Sequence, residues 1–127
     1  MNIRTAKMKK MIEERKINSI IKSYNLNSTF IIDPYLMTAQ GRYNADDDVI
    51  ILNPRQSTRE FILSLLHEIC HALDSKRLGR KKFMKKYNQA GQVAVNTGKD
   101  FYDNNKWEKR AERFAQREIK KHEPKII

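Results

Sequence analysis

The sequence predicts a single small α+β domain, and three observations point to it. Three short runs rich in β-branched and aromatic residues crowd into residues 29–52, a capped amphipathic helix follows at once, and the rest reads as helix. A chain of 127 residues can bury one core and has little room for a second. The expected layout is an N-terminal helix over about 2–24, a core over about 28–121 and a short basic tail.

Taken in order, residues 2–24 read as helix. The apolar stripe of Met8, Met11 and Ile12 is out of phase with that of Ile17, Ile20, Ile21 and Tyr24, so the second half is expected to pack and the first to project or bend. Thr29 to Ile32 reads as a strand stopped by Asp33-Pro34, Leu36 to Asn44 as a second strand containing Gly41, and Val49 to Leu52 as a third stopped by Asn53-Pro54. The polar turn Asp46-Asp47-Asp48 separates the last two, and mostly antiparallel pairing is expected.

Ser57 and Glu60 form a capping-box pattern ahead of the first central helix. On its wheel Phe61, Ile62, Leu65, Leu66, Ile69, Ala72 and Leu73 share one arc, facing the core. Glu60, Leu63, Ser64, His67, Glu68, His71 and Asp74 share the other, which is where a site would lie. Gly79 marks its end, residues 80–98 read as one or two short helices, and Asn105 caps a last helix over 106–121 with Trp107, Ala111, Phe114 and Ala115 as its stripe.

Composition narrows the class further. The first dozen residues lack the uninterrupted apolar core of a signal peptide, and no run of about 18 apolar residues occurs, so a cytoplasmic or virion-packaged protein with no membrane partner is expected. A single cysteine, Cys70, excludes an internal disulfide and reads as core filler. The formal charge of +11 comes from 26 Lys and Arg against 15 Asp and Glu, clustered at Lys7 to Lys16, at Ser75 to Lys86 and along the last 20 residues. Such a field attracts nucleic acid or another polyanion without a dedicated motif.

The chemistry resides in His67-Glu68-Ile69-Cys70-His71. Side chains at i and i+4 of a helix lie one above the other, so two imidazoles can converge on one Zn²⁺ while Glu68 reaches over the same face as general base. Zinc there lowers the pKa of a bound water from 15.7 towards about 7 and polarises a scissile carbonyl. A catalytic zinc also needs a third protein ligand. Glu108 falls inside the apolar arc of the last helix, where an unpartnered carboxylate is costly, and is the favoured candidate, although Asn105-x-x-Glu108 is itself a capping-box spacing. Glu112, one turn on, is the substitute ligand or the group that orients a ligand imidazole, a role open also to Asp74. His122 lies in a charged tail and reads as solvated. Tyr102 and Tyr43 are candidate donors to a developing oxyanion, and the strand carrying Gly41, Arg42 and Tyr43 is the expected seat of an extended substrate.

With these residues in place the chain resembles the minimal gluzincins, and most of all the ImmA/IrrE family of small metallopeptidases and related phage-encoded proteins. The likeness runs through Gly41 to Tyr43, Val49 to Leu52, LLHEICHALD (Leu65 to Asp74) and DFYDNNKWEKRAERFA (Asp100 to Ala115). It implies a zincin-like fold, one zinc, a protein or peptide substrate, and the third ligand at Glu108. Two departures stand out: Arg110 occupies a position that is often acidic in the family, and the segment between HEICH and Glu108 is long and basic. A weaker likeness to SprT-like proteases extends to the helix and the charge, but their third ligand is a histidine for which this chain has no fitting position. Three functions thus compete: an active endopeptidase, a basic nucleic-acid- or virion-associated binding protein with a structural or vestigial zinc, and a protease recruited to DNA by charge.

Overall fold

The computed structural model describes residues 14–36 and 39–122; the first half of the expected N-terminal helix, with Met8, Met11 and Ile12, and the end of the basic tail lie outside them. Helix α1 is described over 14–23 and buries Ile17, Ile20 and Ile21, the stripe expected to pack. Three strands follow, β1 (Thr29–Ile32), β2 (Gly41–Asn44) and β3 (Val49–Leu52), then α2 (Thr58–Leu78), α3 (Arg80–Asn96), α4 (Lys106–Glu118) and a 3₁₀ turn (Ile119–Lys121). The outcome is a small α+β fold. Among the described residues no helix is long and apolar enough to cross a membrane.

The sheet departs from the expected pairing. Its order is β1-β3-β2, with β3 antiparallel to β2 but parallel to β1, so it is mixed. β3 is the most apolar of the three and takes the centre, where Ile50 and Leu52 lose all exposure. The residues between β1 and β3 contain β2, and this excursion lets the chain re-enter the sheet in the direction it left. The second strand is also shorter than expected, starting at Gly41. Register places Phe30, Ile32, Tyr43, Ile50 and Leu52 on one face, with Gly41 opposite Leu52, and this face packs on α2.

Ser57 caps α2 by accepting from the Glu60 amide, and Gly79 closes it at φ 88°, a conformation that L side chains rarely adopt. The expected core arc holds: Ile62, Leu65, Leu66, Ile69 and Ala72 are buried against the sheet, α1 and α4. The opposite arc is not open, because Ser64, Glu68, His71 and Asp74 are buried as well, with β2, α3 and α4 packed on α2. Residues 80–96 form one continuous helix rather than two short ones. Its inner side carries Phe83, Gly91 and Ala94, and its basic residues face solvent.

Candidate metal centre

Helix α4 crosses α2 so that Glu108 meets the histidine pair. Its Oε1 lies 2.7 Å from His67 Nε2 and 2.5 Å from His71 Nε2. Two helical features aim these groups. His67 and His71 stack one turn apart with ring centroids 5.0 Å apart, and the buried Asn105 fixes the start of α4 by accepting from the Trp107 amide. Glu108 is thus accounted for by the histidines, not by a capping role.

One ligand atom from each of His67, His71 and Glu108 lies within 4.8 Å of the others, an arrangement that can hold a metal ion. The donor chemistry fits. A His₂Glu set leaving one position open is that of catalytic zinc, and bonds of about 2.0–2.2 Å in a tetrahedron separate ligand atoms by roughly 3.4 Å, so Glu108 Oε1 needs to draw back from each nitrogen by less than about 1 Å.

The electrostatics of the metal-free site are those of a charged pair. Burial lowers the His67 pKa, but the hydrogen bond that it donates to Glu108 and the charges of Glu68, Glu108 and Glu112 outweigh it and raise the pKa to about 9. Burial likewise pushes Glu108 up, and the hydrogen bonds from His67, His71 and Tyr87 overcome it and hold the carboxyl well below its usual range. Glu68 goes the other way: burial raises its pKa against the opposing influence of His71 and His67. It sits under β2, where a Cβ on Gly41 would come 3.2 Å from Glu68 Oε2.

The remaining candidates separate clearly. Glu112 Oε2 lies 3.4 Å from His67 Nδ1, the nitrogen facing away from Glu108, and is not one of the three converging ligand atoms. His71 Nδ1 is buried with no partner among the described residues; its ring is held by packing against Tyr87, Phe83 and His67. Asp74 does not orient an imidazole. Its buried carboxylate accepts from Arg110 Nε at 3.0 Å and Arg77 at 3.1 Å, tying α4 to α2 one turn beyond the ligands. This pairing gives Arg110 a structural reason. Cys70 is buried filler, its thiol pushed up to about 12 by burial and by Asp74. His122, expected in solvent, is buried, with Nε2 3.0 Å from Tyr24 Oη.

Tyr43 is withdrawn from an oxyanion role because its hydroxyl donates to Asp48 Oδ1 at 2.8 Å. Tyr102 is exposed and lines the cleft beside His67. One residue was missed by sequence reasoning: Tyr87 of α3 donates to Glu108 Oε2 at 2.8 Å. The spacing Phe83, Tyr87, Gly91, Ala94 marks an inward helix face and was the available signal.

These groups line a cleft of about 930 Å³ between the β2 edge (Gly41, Arg42, Tyr43) and α3 (Phe83, Met84, Tyr87). Comparison with protein-family models, with curated proteins and with solved structures finds no match to this chain.

Proposed function

We propose that the chain is a zinc-dependent metallo-endopeptidase of the minimal gluzincin type, similar to the ImmA/IrrE family, with one zinc per chain on His67, His71 and Glu108. The observation that carries the proposal is the convergence of those three ligand atoms next to a buried Glu68, in a cleft bounded by a sheet edge. A structural site would need neither the open position nor a base beside it.

Zinc held there would supply a Lewis acid and acidify a water. Glu68 would accept a proton from the attacking water at its carboxylate and return it to the leaving amine. Glu112 keeps His67 aligned through Nδ1. A peptide adds to β2 along its outer edge. Asn53 donates to Gln40 O, and the alternation of an antiparallel ladder then turns the Arg42 amide inward and those of Gly41 and Tyr43 outward to the substrate. Tyr102, whose hydroxyl has none of the carboxylate contacts that occupy Tyr43 and Tyr87 among the described residues, donates to the developing oxyanion.

Purified protein is expected to carry one zinc per chain and to cleave an unstructured protein, with activity lost to a chelator and restored by zinc. One zinc with no turnover on any protein tested would favour the basic binding protein instead. A polyanion partner is supported by α3, which has no acidic residue and exposes Lys81, Lys82, Lys85 and Lys86. Binding of nucleic acid there should weaken steeply as salt rises.

A further inference from the structure

The two oxygens of Glu108 have different partners. Oε1 faces His67 and His71 Nε2, whereas Oε2 is occupied by the Tyr87 hydroxyl at 2.8 Å. Tyr87 itself is held from three sides. Its ring packs on His71, Phe83 and Phe101 at centroid distances of 5.9, 6.0 and 6.2 Å. Its main-chain carbonyl accepts from Asn105 Nδ2 at 3.0 Å, and the same buried side chain caps α4 three residues before Glu108.

Gly91 contributes indirectly. Glycine inside a helix costs about 1 kcal/mol relative to alanine, yet here a Cβ would lie 2.3 Å from the Phe101 ring. Its absence lets Phe101 settle against α3 and buttress Tyr87.

We infer that Tyr87 is a positioning residue that holds Glu108 to ligation through a single oxygen and so keeps the fourth coordination position open. The inference rests on the zinc proposal above. A carboxylate free at both oxygens can turn and offer both to a metal, filling the position that a catalytic site must leave vacant. With Oε2 tied to a hydroxyl on a third helix, the turn would break a hydrogen bond to a charged acceptor, a bond of the stronger kind.

Cobalt in place of zinc reads coordination number directly, because four-coordinate Co²⁺ absorbs more strongly in the visible than five-coordinate Co²⁺. Tyr87→Phe keeps the ring and its packing, and is expected to bind one cobalt per chain with a band severalfold weaker than wild type. Tyr35→Phe, which removes an exposed hydroxyl outside the cleft, should leave the band unchanged. Gly91→Ala, which keeps the tyrosine but displaces the Phe101 ring that buttresses it and so moves its hydroxyl off Glu108, should weaken the band in the same direction and guards against a misfolded Tyr87→Phe. Wild-type band intensity in both Tyr87→Phe and Gly91→Ala overturns the inference while leaving the zinc proposal standing. Wild-type protein that takes up neither cobalt nor zinc overturns both.

Discussion

Gly41→Ala isolates the position of the base from the binding of the metal. A Cβ there would lie 3.2 Å from Glu68 Oε2, 3.3 Å from its Cγ and 3.4 Å from Ile51 O. Ordinary contact begins near 3.5 Å, so Glu68 must retreat from β2 by roughly 0.3 Å. If about 1 Å of misplacement costs roughly 100-fold in rate, this shift costs about three- to tenfold. Stability moves little. Gly41 is not among the positive-φ glycines, so alanine suits its backbone and restricts the unfolded chain, a gain of about 0.4–1 kcal/mol that offsets the tight contact. Expected, then, are full zinc content, a melting temperature within a few degrees of wild type, and a kcat/KM down by about three- to tenfold on a fluorogenic peptide. Wild-type kcat/KM in a zinc-loaded, folded Gly41→Ala protein would refute the placement of Glu68 against β2 as the base's seat.

Three further outcomes follow. Glu108→Ala should release the metal, whereas Glu112→Ala should weaken it by no more than about 10- to 100-fold; zinc analysis after dialysis checks this, and the reverse pattern would exchange their roles. His67 in the metal-free protein has its pKa raised from 6.5 to about 9, so its pairing with Glu108 stabilises the fold fully below about 6.5 and is lost as pH rises through about 9. Zinc must displace that proton, so its affinity by chelator competition should rise about tenfold per pH unit from 7 to 9 and flatten above; a flat profile throughout would contradict the pairing. Tyr43→Pro should lower cleavage well below Tyr43→Ala at equal zinc content, because only proline removes the amide at the outer edge of β2; equal activities would place the substrate elsewhere.

The sequence carried the local part of this arrangement and missed what depends on tertiary meetings. β1, β3 and the cap of α2 appear as expected, since turn residues and a capping serine mark them in the chain itself. Glu108 was legible because a carboxylate on an apolar arc needs a partner. Strand direction was not, because a four-residue apolar run looks the same either way, and the parallel pairing of β1 with β3 is decided by the path through β2. Whether residues 80–98 form one helix or two was obscured by the lysines, whose solvent-facing positions leave a narrow inward stripe. What Asp74 and Tyr87 bind was out of reach for another reason. Their partners, Arg110 and Glu108, lie on another helix, and neither pairing leaves a periodic trace.

The most direct test of the central claim is the turnover of zinc-loaded Glu68→Gln beside wild type. The amide keeps the shape of the side chain, and Glu68 is not a ligand, so the variant should fold and bind one zinc. It cannot accept the water's proton, and nearly all peptidase activity should vanish. Proteolysis at the wild-type rate by a zinc-loaded Glu68→Gln protein would contradict the account.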